Sequence, residues 1–174
     1  MSSKVVYKNK WISVREDEVI HPDGRKSIYG VVDSKPSICI VGITDENKII
    51  FVELVRYTNQ IRSLEIPAGG SDGDQIIDAA RRELREETGY VCETIEIIGK
   101  YYPMNGIFSE TCFTLLASGL RKTNKDERAE EGITKVEEYS IEEVTERIKN
   151  NEISDGQTLA SLMQALVYLK QIQY

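Results

Sequence analysis

Three glutamates, Glu83, Glu86 and Glu87, crowd into five positions of the run Arg82-Glu83-Leu84-Arg85-Glu86-Glu87-Thr88-Gly89. On a helix that advances about 100° per residue, Glu83 stands about 40° from Glu87 and about 60° from Glu86, so the three carboxylates share roughly a quarter of the circumference. Like charges one turn apart cost a helix about 0.2–0.5 kcal/mol when nothing neutralises them. A hard divalent ion reverses that cost, because Mg²⁺ takes one or two carboxylates together with water and phosphate oxygens. The chemistry on offer is metal-assisted reaction of a phosphate compound. The competing reading is a solvated charged helix, since Arg81, Arg82 and Arg85 interleave with the acids and Arg82 with Glu86 makes an ordinary i,i+4 pair.

These acids need a helix to display them, and the pattern predicts one from about Asp74 to Glu87. Asp74 is the expected N-cap and Gly89 the C-terminal stop. Ile76, Ile77, Ala80 and Leu84 form its buried face, with Glu83 and Glu87 at one edge and Glu86 farther out beside Arg82. A polar, glycine-rich loop over 68–73 leads into it. Before that loop, segments rich in β-branched and aromatic residues predict strands at 11–19, 27–32, 37–43 and 49–55. His21-Pro22-Asp23-Gly24 and Asp45-Glu46-Asn47 supply turn chemistry, so two hairpins are expected. Strands at 93–102 and 111–117 follow, then helices at 141–150, capped by Ser140, and 157–172.

With 174 residues, 40% hydrophobic and 29% charged, the chain can bury one core, and a single domain over 1–174 is expected. A net charge of −7 argues against a nucleic-acid backbone as partner, but a small anion can be held if metal ions and a few arginines invert the local field. The N-terminus carries no signal-peptide pattern and no apolar run approaches membrane-spanning length, so a cytoplasmic protein without membrane partners is expected. Cys39, Cys92 and Cys112 are odd in number and lack Cys-x-x-Cys spacing, so they read as reduced thiols in or near the core. His21, the only histidine, sits in a turn and reads as structural or exposed.

The stretch Arg82-Glu83-Leu84-Arg85-Glu86-Glu87-Thr88-Gly89-Tyr90 resembles the second half of the Nudix pattern G-x5-E-x7-R-E-U-x-E-E-x-G-U, where U is apolar. Asp74 occupies the place of the first glutamate, and four residues instead of five separate it from Gly69. The resemblance implies an α+β fold, a Nudix-like α/β/α sandwich with a mixed β-sheet. It also implies Mg²⁺ or Mn²⁺ held mainly by Glu83 and Glu87, with Glu86 a third ligand. Leu64-Glu65-Ile66-Pro67-Ala68-Gly69-Gly70 is similar to the E-L-P-A-G segment of the ADP-ribose and nucleoside-diphosphate-sugar pyrophosphatase branch. There the main-chain carbonyl at the position of Ala68 helps to ligate metal. An arginine nine residues before the glutamate, here Arg56 before Glu65, reaches the diphosphate. A guanidinium suits that task because it presents paired donors to phosphate oxygens.

That branch carries an N-terminal antiparallel strand extension, here to about residue 35, ahead of a catalytic core from about 36 to 174. Trp11 and Tyr29 match positions whose rings sandwich adenine across a homodimer, and stacking of this kind is worth about 1–3 kcal/mol per base. Ordinary strand aromatics packed on a core are the competing reading for both. Tyr101-Tyr102-Pro103-Met104-Asn105-Gly106-Ile107-Phe108-Ser109-Glu110 resembles a segment written Y-x-S-P-G-x-S-E, with Glu110 at its substrate-binding end and Met104-Asn105 in place of Ser-Pro. In the family, water attacks one phosphorus and an acidic loop supplies the base. The counterpart here is Asp126-Glu127-Arg128-Ala129-Glu130-Glu131-Gly132, with Glu130 first choice and Glu131 next.

The expected activity is hydrolysis of a nucleoside diphosphate sugar to a nucleoside monophosphate and a sugar phosphate. Two alternatives stay open: a Nudix hydrolase of dinucleoside polyphosphates or other nucleotides, and a sensor that binds a nucleotide sugar without cleaving it.

Overall fold

The computed structural model describes residues 2–124 and 127–170. Ten strands and three helices run in the order β1 (Ser3–Lys8), β2 (Ile12–Ile20), β3 (Lys26–Ser34), β4 (Ser37–Gly42), β5 (Ile49–Arg56), β6 (Ile61–Glu65), β7 (Ala68–Gly70), α1 (Ile76–Thr88), β8 (Tyr90–Tyr101), β9 (Cys112–Lys122), β10 (Ile133–Tyr139), α2 (Ile141–Lys149) and α3 (Gly156–Tyr168). They build three sheets: an antiparallel β1-β2-β3 sheet, an antiparallel sheet in the order β10-β5-β6, and a mixed sheet in the order β7-β4-β9-β8 whose β4 and β9 are parallel.

The layering follows from alternation along the central strands. In β4, Ile38 and Ile40 face one way and join Ala79, Ala80 and Leu84 of α1, whereas Cys39 and Val41 face the other and join Leu162 and Ala165 of α3. β5 repeats this, Ile50 on the α1 side and Ile49 and Phe51 on the other with Val144 of α2. Strands covered on both faces are apolar throughout, which is why 38–41 and 49–52 are unbroken buried runs. The result is the expected helix, sheet, helix sandwich with a mixed sheet and an N-terminal antiparallel extension.

Only the first of the two expected hairpins forms in full. β2 and β3 pair in register from Ile12↔Ser34 to Ile20↔Lys26. At the second, the turn closes, with the Asn47 N–H donating to the Thr44 carbonyl at 2.9 Å, but β4 and β5 share one bridge, Ile43↔Ile49, and then part into different sheets. Each strand has two hydrogen-bonding edges to pair, and each pairs them with neighbours of its own, β7 and β9 for β4, β6 and β10 for β5. The loop expected at 68–73 holds the three-residue strand β7, and β1, β6 and β10 were also not anticipated. The last helix starts one residue earlier than expected and ends at Tyr168, with Leu169 as its C-cap, short of the expected Ile172.

Candidate active site

A turn closed by the Asp74 N–H on the Ser71 carbonyl, 2.8 Å, delivers the chain into α1. The N-cap is Gln75 and not Asp74, and no side chain caps the first turn. Asp74 lies one residue too early, and its carboxylate faces the Arg82 Nε at 3.6 Å instead. The other end is as expected: Gly89 adopts φ 73° and its N–H donates to the Arg85 carbonyl. Ala79, Ala80 and Leu84 anchor the helix in the core, and this burial draws Glu83 and Glu87 inward until they are 6% and 9% exposed.

Each inner acid has a defined seat. Glu87 Oε2 accepts the Ala68 N–H at 2.9 Å, and Glu83 Oε1 accepts Arg82 Nη1 at 2.7 Å. The Arg82 Nη2 donates in turn to the Gly70 carbonyl at 3.2 Å, so one arginine joins the acidic helix to β7. Gly69 lies directly against the Glu83 carboxyl: a Cβ there would stand 2.3 Å from Glu83 Cδ. Glu86 is held differently, by Arg82 Nη1 at 3.2 Å and Arg85 Nη2 at 2.7 Å. Burial pushes the Glu87 carboxyl up to about 8, aided by the like charge of Glu83 and opposed by the Ala68 N–H and Arg56. Burial likewise raises Glu83 to about 6, against the pull of Arg82.

The segment joining β6 to β7 ties several of its polar groups to partners elsewhere in the fold. Glu65 is almost fully buried and accepts from Arg56 through both oxygens, from Nε at 2.9 Å and from Nη2. The Ile66 N–H donates to the Thr158 Oγ1 at 3.2 Å, and the Pro67 carbonyl accepts the Ile40 N–H at 2.8 Å. The Ala68 N–H goes to Glu87. Arg56 therefore sits on a carboxylate that fixes its fork, and the fields of Glu65, Asp155 and Glu87 all raise its proton affinity. Glu65, 2% exposed, is thus the orienting partner of Arg56.

Next to this lies a cavity of about 500 Å³ whose lining includes Tyr102, Met104, Phe108, Glu110, Asp155 and Gln157. Glu110 thus faces the same cavity as Asp155, which also reaches Arg56. The charge of Glu131 raises the proton affinity of both Glu83 and Glu87. Arg85 Nε meets Glu127 Oε2 at 3.1 Å. Asp126 lies outside the described residues.

Trp11 and Tyr29 are 66% and 47% exposed, so neither is a core aromatic. Tyr29 pairs with Asp17, whereas Trp11 precedes Ile12, whose partner is Ser34. Six residues of strand, about 20 Å, separate the two rings in register, too far for one chain to close them on one base. His21 is exposed and bonds Ser27 Oγ at 2.7 Å, in line with a turn role.

Residues 33–162 match the family described as NUDIX domain, and residues 1–32 match the nucleoside diphosphate sugar hydrolase N-terminal domain. The chain belongs to the Nudix family. It is 29% identical to the ADP-ribose pyrophosphatase of Bacillus subtilis, covering 91% of this chain and 86% of the relative. The ADP-ribose pyrophosphatase of Mycobacterium tuberculosis is 30% identical over 94% of this chain and 80% of its own length. A methanol dehydrogenase activator of Bacillus methanolicus is 29% identical over 93% of this chain and 89% of the relative. The fold is shared with a solved ADP compounds hydrolase at a TM-score of 0.85 and 18% identity, over 98% of this chain and 93% of that one.

Nudix hydrolases generally need divalent metal ions, and the donor set here fits a hard one. Glu83 Oε2 and Glu87 Oε1 accept no hydrogen bond among the described residues, although both side chains are buried. Among the described residues no three acid, thiol or imidazole side chains converge on one point, because Glu86 is turned to its two arginines. Two carboxylates with a backbone carbonyl and solvent or phosphate oxygens is a set that Mg²⁺ accepts. Sequence reasoning missed Asp155 and Thr158. Asp155 before a helical pattern is an N-cap signal and was there to be read, since its carboxylate accepts the Thr158 N–H at 2.7 Å. The long-range bond from Thr158 to Ile66 left no such signal.

Proposed function

We propose that this Nudix protein is a nucleoside-diphosphate-sugar pyrophosphatase that hydrolyses ADP-ribose or a similar compound with Mg²⁺ or Mn²⁺. Water adds to one phosphorus, the bridging P–O bond breaks, and a nucleoside monophosphate and a sugar phosphate leave. The observation that carries the reading is the joint placement of Arg56 and Glu87: a guanidinium oriented by buried Glu65 lies within the field of the acid that Ala68 holds. Arg56 binds and orients the diphosphate. Glu83, Glu87 and the Ala68 carbonyl would hold the cation, with Glu86 as a further donor. A divalent ion bound there would acidify water and neutralise phosphoryl charge. Glu131, whose charge acts on both inner acids, takes the proton from the attacking water, with Glu130 of the same turn as the alternative. The cavity bearing Glu110 receives the sugar.

A homodimer completes the base site, with Trp11 of one protomer facing Tyr29 of its partner. Two features support it: the register separation of the two rings, and a β1-β2-β3 sheet on which Val5, Val6, Tyr7, Ile20 and Ile28 are each more than half exposed. The 1–32 segment belongs with the core as one working unit over 1–174. Three free thiols fit a reducing, cytoplasmic setting. The relatives named ADP-ribose pyrophosphatase support the substrate class.

The test is a screen of ADP-ribose, ADP-glucose, GDP-mannose, UDP-sugars, dinucleoside polyphosphates and nucleoside triphosphates with Mg²⁺ and Mn²⁺, with Glu87→Gln as control. Diphosphate sugars should be cleaved best and the variant should be inactive. Equal activity in Glu87→Gln would sink the metal assignment, and a preference for triphosphates would sink the substrate class.

A further inference from the structure

Arg85 stands at the one position inside R-E-U-x-E-E that the Nudix pattern leaves open, and here it bridges two elements. Its Nη2 donates to Glu86 Oε1 at 2.7 Å and its Nε to Glu127 Oε2 at 3.1 Å. Glu127 opens a tight turn: the Glu130 N–H donates to the Glu127 carbonyl at 3.0 Å, Gly132 to Ala129 at 3.3 Å and Ile133 to Arg128 at 2.9 Å, with Gly132 at φ 73°. At its C-terminal end this turn is fixed by β10, where Ile133 pairs with Leu54. Near its N-terminal end, Arg85 with Glu127 ties the turn to α1. The turn carries Glu131, whose charge acts on both Glu83 and Glu87.

We propose that Arg85 is a positioning residue for the reaction, holding the 127–132 turn, which carries Glu130 and Glu131, against the acidic helix. This rests on the reading of Glu131 as the base. Both partners of the pair are about one-third exposed, and pairs of that kind contribute little to stability. Its consequence is geometric: one end of a short turn is either pinned or free, and a misplacement of about 1 Å at a reacting group can cost about a hundredfold in rate. Because the same guanidinium also holds Glu86, the turn and the outer acid of the helix share one anchor.

The experiment compares Arg85→Ala, Arg85→Lys, Glu127→Gln and the Arg85→Ala/Glu127→Gln pair in the full chain. Steady-state kinetics on the best diphosphate sugar is read alongside amide hydrogen exchange of Gly132 and Ile133. Arg85→Ala and Glu127→Gln should each lower kcat about tenfold or more with KM nearly unchanged, and should speed exchange at both amides. The double variant should lose no more than the worse single one, and Arg85→Lys, which keeps charge without the fork, should recover only part. Unchanged exchange, additive losses, or fast exchange with unaltered kcat would each overturn the proposal. Glu131→Gln is the separate control: if it leaves kcat intact, the assignment of the base fails, whatever exchange reports about the Arg85 anchor.

Discussion

Gly69 and Glu83 occupy space that a single methyl group would contest. A Cβ at position 69 would lie 2.3–2.6 Å from the three atoms of the Glu83 carboxyl group, so Gly69→Ala must move either β7 or the acid. We expect about a hundredfold loss of kcat with a much smaller change in melting temperature, as measured by steady-state kinetics and thermal unfolding. Arg56→Lys keeps the charge but cannot match both oxygens of Glu65, and if Arg56 is the diphosphate clamp proposed above, kcat/KM should fall at least about tenfold. Glu87 makes a pH prediction. Its folded value of about 8 lies above the ordinary 4.5, so between these the folded state keeps a proton that the unfolded chain has lost. Without divalent cations, stability should therefore fall as pH rises from about 5 to about 8, because the unfolded state there binds fewer protons. Saturating Mg²⁺, which needs the ionised acids, should flatten or reverse that slope. A cation-free melting temperature that rises over this range would contradict the assignment.

Among the elements, α1 was legible because its information is local. A 3.6-residue apolar period, an acid cluster at fixed angles and a glycine stop are all properties of consecutive residues, and the structure sets Glu83 and Glu87 inward and Glu86 outward as the angles demanded. Asp74 misled because an acid just ahead of a helix satisfies the capping pattern whether or not its backbone is the residue that enters the helix. β6 and β7 were illegible for a different reason. Residues 68–73 read as a polar, glycine-rich loop and 61–65 carried no strand reading, and the strand character of both comes from partners elsewhere in the sequence: Val52 opposite Glu65, Cys39 opposite Ala68, and Thr158 beside Ile66. Thr158→Val would leave the buried Ile66 N–H without an acceptor at a cost of about 1–3 kcal/mol. Urea unfolding should show it, with Thr158→Ser close to the parent protein.

The N-terminal sheet and the catalytic layers meet through few but specific ties: the Tyr29 hydroxyl donates to the Gly106 carbonyl at 2.5 Å, and the Val32 N–H to the Ile107 carbonyl at 2.9 Å. The alternation of β2 and β3 announced a hairpin, but no local pattern decides what its exposed face meets, and the proposed homodimer puts a second copy of the chain there. Ile28→Asp should convert a dimer to monomers in sedimentation velocity. The same variant and Trp11→Ala should each raise KM about tenfold, the size of one lost base stack. A monomeric parent protein with full activity would refute the shared base site. Three of the assigned functions, the diphosphate clamp, the carbonyl of Ala68 and the seat of Glu87, hang on the six residues from Glu65 to Gly70. Their side chains and backbone groups point alternately to different partners. Loss or gain of one residue there would reverse that alternation and disconnect all three together, whereas the exposed turn at 21–25 can lengthen freely. Length variation among working descendants of this chain should therefore collect in the outer turn and be absent from the inner bend, which a library of single-codon insertions and deletions selected for activity would reveal.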